Sequence, residues 1–254
     1  MKGTKGKIIT ITSTKGGVGK TIHTMNLAGI YHLLGYKTLV IDLDLYGGAI
    51  ATYLNSNNDT TIFNLTEDLI NNKYKDISDY YYSYNENIDI IAAPKDPRKA
   101  NKIDTKYIPL ILNNLVYKYD VVLIDTSHVL DDINIIALDC SDTILYILTN
   151  DTFDLKNARS FITIMNDVGY SNYYTVLNES VFPGKNHYTL YEIRNIINAN
   201  IDFTISKSMH IKNIDKYILQ NEILILNKNL SIISQKELNK LKQYALTLIG
   251  KEEK

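Results

Sequence analysis

The sequence predicts an α/β fold: a single doubly wound, mostly parallel sheet with helices on both faces. Three observations predict it. Apolar runs of strand length alternate with segments of helical period along the chain, the pattern of crossover connections between parallel strands. Several of the strand runs, such as Val121-Val122-Leu123-Ile124, are continuously apolar, as strands covered on both faces are. Glycines and acids fall just after these runs, where such sheets carry their ligand-binding loops. The 254 residues suit one domain over 1–254, because domains run about 50 to 250 residues.

Residues 7–12 read as the first strand, followed by a Gly-rich turn at 14–19 and a helix from 20 to about 34 that Gly35 stops. Residues 38–41 form a second strand and 61–72 a helix. A strand at 88–92 ends in Ala93-Pro94, and a helix covers 104–118. Residues 120–124 are a buried strand with Asp125 at its carboxyl end. A helix at 131–139, a strand at 143–148, a helix at 154–168 and a strand at 173–177 come next. The remainder offers helices at 188–199, 208–220 and 234–249, with a short strand at 201–205.

Charge and cysteine content exclude several classes of function. With 27 basic and 28 acidic residues the net charge is -1, so no overall field attracts nucleic acid or an anionic membrane. One cysteine, Cys140, excludes an intrachain disulfide framework and a cysteine-rich metal site within one subunit, and fits a reducing cytoplasm. The basic N-terminus has an apolar stretch of a few residues interrupted by threonines, unlike a signal peptide. No segment reaches the roughly 18 apolar residues that a membrane span requires.

The turn Thr14-Lys15-Gly16-Gly17-Val18-Gly19-Lys20-Thr21 lies between an apolar strand and a helix. Glycines let backbone N–H groups turn inward around phosphate oxygens, and the helix N-terminus adds its dipole. Lys20 would meet the β- and γ-phosphates, and the Thr21 hydroxyl would ligate Mg²⁺. The alternative is a Gly-rich turn that binds nothing. Asp42-Leu43-Asp44 follows the second strand; a carboxylate there can orient water for attack on the γ-phosphate, directly or through the metal's shell, or simply form a turn. Asp125 has the position of an acid that holds Mg²⁺, with capping of the next turn as the alternative. His128 stands in the loop that follows it.

Thr14 occupies the place of the first glycine of the ordinary phosphate loop, and a lysine follows it. KGGVGKT is the deviant Walker A form, and the chain here resembles the MinD/ParA family of P-loop ATPases. The resemblance covers nearly the whole chain. It implies that Lys15 reaches across a face-to-face dimer to the partner's nucleotide, as an arginine finger does in trans. It makes Asp44 the water-positioning acid, with Asp42 as support for the loop and the lysines. It also assigns the adenine edge to Asn178, a residue type equally at home in a turn. The implied nucleotide contacts are Lys15, Gly16, Gly17, Val18, Gly19, Lys20, Thr21, Ile22 and Asn178; the implied Mg²⁺ contacts are Thr21, Asp125 and Asp44. Ile22 stands where the family usually has Thr or Ser, so one side-chain contact to phosphate is lost. The cofactors implied are ATP and Mg²⁺, and the product is an ATP-state homodimer that hydrolyses ATP weakly and on stimulation by the dimer or a partner.

Within that family, the segments DLDLYGGAIATYL (42–54), IIAAPKDP (90–97) and LKNAR (155–159) look like the CpaE/TadZ-like branch that serves Flp/Tad pilus assembly. That branch often carries an N-terminal receiver-like domain, which is not expected here because the first strand begins at about Lys7. The branch implies a partner protein of a secretion or pilus machine and a cytoplasmic chain, peripheral at a membrane or cell pole. The rival is a DNA-partition or MinD-like positioning ATPase, for which 235–249 would lie on anionic lipid; the same apolar stripe equally suits a helix packed on its own sheet. A non-hydrolysing nucleotide-dependent scaffold is a third reading, against which Lys15, Lys20 and Asp44 argue. The tyrosine-kinase branch is set aside on the tail GKEEK, with Tyr80-Tyr81-Tyr82 expected as surface strand or loop, and the nitrogenase-iron-protein branch on the cysteine count.

Overall fold

The computed structural model describes residues 5–50, 60–181, 187–212, 214–218, 220–227 and 234–251. Eight strands form one sheet: β1 (Lys7–Thr12), β2 (Thr38–Leu43), β3 (Tyr82–Asn85), β4 (Ile88–Ile91), β5 (Val121–Thr126), β6 (Thr143–Leu148), β7 (Tyr173–Asn178) and β8 (Phe203–Ile205). Their order is β3-β4-β2-β5-β1-β6-β7-β8, parallel except for the antiparallel pair β3–β4. The chain leaves β1 toward one edge and, after β5, crosses it to build the other. The reversal of strand order therefore lies at β1, flanked by β5 and β6, which is where open α/β sheets bind ligands.

The expected helices are present as α1 (Lys20–Leu33), α2 (Ile62–Ile70), α3 (Tyr107–Leu115), α4 (Asp132–Asp139), α5 (Thr152–Asp167), α6 (Leu190–Ile197), the short α7 (Ile214–Ile218) and α8 (Gln235–Leu248). Their starts follow from local chemistry. Asp131 and Asp151 accept backbone N–H groups of the first turns of α4 and α5, while Thr189 with Glu192 and Ser234 with Glu237 form capping boxes. α1 differs, because it begins after Gly19 in the left-handed region (φ 94°) and has no side-chain cap. Its first N–H groups are left for another partner.

Alternation along β1 distributes the core between two faces. Ile9 and Ile11 pack with Leu27, Ile30 and Tyr31 of α1 and with Ala245 and Leu248 of α8. Ile8 faces the layer formed by α2, α3 and α4. Farther along the sheet, Tyr146 and Leu148 of β6 pack against Leu155 and Phe161 of α5 and Ile193 of α6.

Three sequence expectations are corrected. The helix expected at 208–220 is a 3₁₀ turn at Lys207–Met209 followed by α7, because His210 is extended (ψ 123°) and its ring Nδ1 hydrogen-bonds the Ser180 carbonyl at 2.7 Å. That tertiary contact overrides the local helical period. The Tyr80–82 run is only partly surface: Tyr80 is buried, donating its hydroxyl to Asp68, and Tyr82 opens β3, which pairs with β4. β5 continues to Thr126, so Asp125 lies inside the strand. The apolar stripe of 235–249 is packed on the protein itself: Tyr31 donates to the Ala245 carbonyl, and Ala245, Leu248 and Ile249 are buried. Among the described residues no helix is long and apolar enough to cross a membrane. The stretch 51–54 of the segment 42–54 lies outside the described residues.

A 3₁₀ turn at Leu224–Leu226 passes so close to α1 that a Cβ on Gly29 would sit 2.9 Å from Ile223 Cγ2, and closer still to Ile225 Cγ2. Gly29→Ala should therefore lower stability by about 1–3 kcal/mol through overpacking, although alanine is the better helix former by about 1 kcal/mol. Denaturant unfolding reads this directly, and a more stable variant would show that the turn yields.

Candidate functional site

The loop between β1 and α1 lies at the carboxyl edge of the sheet. Gly17 (φ 74°) and Gly19 (φ 94°) take the left-handed backbone that wraps the loop. Gly19 is needed twice over, since a Cβ there would lie 2.7 Å from Asn178 Nδ2. Thr14 fills the place of a glycine because its hydroxyl pairs with that of Tyr146 at 2.7 Å, tying the loop to β6.

Lys20 is buried and donates to Ser13 Oγ at 2.9 Å; Ser13 in turn donates to the Lys15 carbonyl at 2.8 Å. Burial lowers the Lys20 ammonium from its usual range, opposed by the charges of Asp125, Asp44 and Asp154. Thr21 donates its hydroxyl to Asp125 Oδ2 at 2.6 Å, and Thr24 donates to Oδ1 at 3.3 Å. The parallel pairing of β2 with β5 places Asp42 directly opposite Asp125. Both carboxyls are enclosed, and burial raises both above the usual carboxylate range, Asp125 to about 6. Asp42 accepts the backbone N–H groups of Asp44 (3.0 Å) and Ile50 (3.1 Å), so it holds the loop that follows β2. Asp44 is half-buried and turned onto that same loop, accepting Gly47 N–H at 3.1 Å.

Thr21 and Asp125 together supply hard oxygen donors at the floor of the loop. This suits Mg²⁺, which binds through one or two carboxylates and completes its shell with phosphate and water oxygens. Among the described residues no group of three or more His, Cys, Asp or Glu side chains is placed to hold a metal ion.

At the other end of the loop, Asn178 donates Nδ2 to the Val18 carbonyl at 2.9 Å and accepts Ser180 N–H and Oγ–H through Oδ1. Its amide thus fastens the loop to β7. Beside it opens a mostly apolar cavity of about 170 Å³, lined by Ile22, Val181, Met209 and His210 among others. Lys15 pairs with Asp151 of its own chain at 2.9 Å, and that contact, with its backbone caps, holds the Asp151 carboxyl below the usual range. Lys15, Gly16, Gly17, Val18, Gly19, Lys20, Thr21, Asp42, Asp44, Asp125 and Asn178 therefore all gather at one edge. Sequence reasoning missed Ser13, Thr24, Tyr146 and Asp151. Asp151 carried one readable signal, its N-cap position before a helical period.

Residues 6–177 match the AAA domain family AAA_31. The tyrosine-protein kinase CpsD of Streptococcus pneumoniae is 28% identical over 165 residues, covering 63% of this chain and 71% of CpsD. Among solved structures, a ParA family ATPase from Chlorobium tepidum superposes with a TM-score of 0.80 at 17% identity, over 94% of this chain and 98% of its own. The septum site-determining protein MinD from Pyrococcus horikoshii, complexed with Mg-ADP, gives 0.77 at 22%, over 96% and 98%. These likenesses establish the fold: a P-loop sheet shared with ParA and MinD.

The raised carboxyl of Asp125 gives a pH signature. Between 3.8 and about 6 the folded chain holds a proton that the unfolded chain has released, so stability falls as pH rises through that window and returns as pH falls. The contribution is on the order of 3 kcal/mol. Melting temperatures of the nucleotide-free chain without divalent cations should decline across the window, and Asp125→Asn should flatten the decline. An equal slope in the variant would remove Asp125 as its source.

Proposed function

We propose that this chain, which belongs to the AAA domain family AAA_31 through residues 6–177, is an ATP-binding and ATP-hydrolysing dimerisation switch of the MinD/ParA type. The observation that carries the reading is the convergence of buried Lys20 with the Thr21–Asp125 pair under a loop whose helix has no side-chain cap. The loop N–H groups and Lys20 would hold the phosphates. Thr21 and Asp125 would hold Mg²⁺, whose role is to neutralise charge on the phosphate oxygens. The P. horikoshii MinD structure is a complex with Mg-ADP, the cation proposed here with the diphosphate counterpart of the proposed nucleotide. Asp44 would hold the attacking water once its loop opens away from Gly47. The cavity beside Asn178 would take the base.

A dimer is supported by what the edge exposes. Tyr46, Val129, Phe153 and Tyr191 are large apolar side chains, each more than half exposed, and each follows the carboxyl end of a different parallel strand. Two copies meeting edge to edge would bury them and bring Lys15 to the partner's nucleotide, at the cost of its pairing with Asp151. In this reading the working form is a cytoplasmic homodimer that a partner protein holds at a membrane site or cell pole. Its setting is the assembly of a secretion or pilus machine, supported by the segments 42–54, 90–97 and 155–159. Partition or septum-site positioning is the alternative that the ParA and MinD likenesses favour. The CpsD likeness keeps transfer of the γ-phosphate to tyrosine as an outcome to test.

Light scattering with Mg-ATP, compared with Mg-ADP, should show an ATP-dependent dimer, with turnover rising faster than protein concentration. Lys20→Ala should weaken nucleotide binding by about 100-fold or more, since it removes a buried charge from the phosphates. Asp44→Ala should keep the ATP dimer and lose turnover by about 100-fold or more. Failure of the wild-type chain to bind ATP would refute the switch; dimerisation without hydrolysis would leave a scaffold, and phosphotyrosine would move the activity to a kinase.

A further inference from the structure

The phosphate loop is gripped at two ends by residues of different character. At the Val18–Gly19 end stands Asn178, beside the cavity assigned to the base. At the Gly16 end stands His128, with ring Nδ1 3.7 Å and Cε1 3.9 Å from where a Cβ on Gly16 would lie. A nucleotide laid along the loop with its base beside Asn178 carries its last phosphate toward Gly16. His128 also lies two residues past the end of β5, the strand that carries Asp125, which sets it on the side of the proposed cation.

The loop that presents His128 is braced from below. Asn134 of α4, 1% exposed, donates Nδ2 to both Ser127 Oγ (2.8 Å) and the Val129 carbonyl (2.6 Å), and Val129 N–H donates to Ser127 Oγ at 3.1 Å. The residues on either side of His128 are thus fixed, while its own ring is exposed and takes no hydrogen bond or ion pair among the described residues. A buried amide is costly to place unless its hydrogen bonds are made. Asn134 makes both of its Nδ2 bonds to the residues flanking His128, while its Oδ1 is buried with no hydrogen-bond partner among the described residues.

We propose that His128 is a terminal-phosphate contact: an imidazole N–H that donates to the γ-phosphate and separates a triphosphate from a diphosphate. In either neutral tautomer one ring nitrogen donates, and a charge-assisted bond to phosphate is among the stronger polar contacts. The inference rests on the nucleotide-binding reading above and adds to it a residue that senses which nucleotide is bound. Through Asn134, the same contact would be felt at α4, next to the exposed Val129 and Leu130 on the edge proposed to meet the second copy.

Calorimetric titration of the full chain with Mg-ADP and with Mg-AMPPNP, a non-hydrolysable triphosphate, tests this. His128→Ala, a change at an exposed side chain, should weaken AMPPNP about tenfold while leaving ADP within about twofold. His128→Gln, which keeps a donor, should recover part of the loss. Unchanged AMPPNP binding, or equal weakening of both nucleotides, would overturn the assignment of His128 while the wild-type titration still supported the site. A wild-type chain that bound neither nucleotide would overturn the site and this contact with it.

Discussion

Asp125 is a carboxylate enclosed at the junction of β1, β5 and α1, and the rest of the edge is organised around making its burial tolerable. An isolated charge in such a place is strongly disfavoured, and the chain answers with two hydroxyls, from Thr21 and Thr24, on successive turns of one helix face. That geometry exists only because β5 runs parallel beside β1, with Ile11 opposite Asp125, and because α1 returns over the same two strands. The neighbouring pair β2–β5 brings Asp42 opposite the same position. Two enclosed carboxyls thus face each other here, both pushed up by burial, and the Mg²⁺ proposed above would offset their charge.

Much of the fold was legible because its signals are local. Strands buried on both faces read as unbroken apolar runs, and the caps at Asp131, Asp151, Thr189 and Ser234 mark helix starts that the structure shares to within a residue or two. The helix expected at 208–220 failed because His210 prefers the Ser180 carbonyl, 30 positions away, to a place in a helical turn. The candidate site divides along the same line. Lys20 and Thr21 are candidates that the register of the Gly-rich turn offers and Asp125 one that the end of an apolar strand offers, and the structure brings Thr21 and Asp125 into hydrogen-bond contact. Ser13, Tyr146 and Asn134 could not be read in this way, because each is defined by what it touches across strands rather than by its neighbours in the chain. Asn178 shows an intermediate case: its position at a strand end was readable, but its grip on the Val18 carbonyl was not.

The Lys15–Asp151 pair is the contact that the proposed dimer would exchange. Each is about one-third exposed, so the pair is worth little to stability and can be exchanged at low cost. Asp151 also caps α5, whose second residue is the exposed Phe153. Moving Lys15 away would leave Asp151 with its backbone partners intact and its charge newly uncompensated, at the place where a second chain would approach.

The contact between His23 and Tyr244 has a temporal meaning as well as a structural one. His23 stands in the first turns of α1, its ring kept neutral by burial with a pKa near 4, and its Nε2 meets the Tyr244 hydroxyl 221 positions later at 2.8 Å. The helix that presents the phosphate loop is thus clamped from behind by α8, near the far end of the sequence. A chain emerging from the ribosome has its loop residues early but cannot finish the wall behind them until α8 arrives, since so distant a contact must wait for the intervening sequence. The wall behind the loop therefore depends on α8: a chain cut short of it has the motif but lacks the backing that holds it in shape.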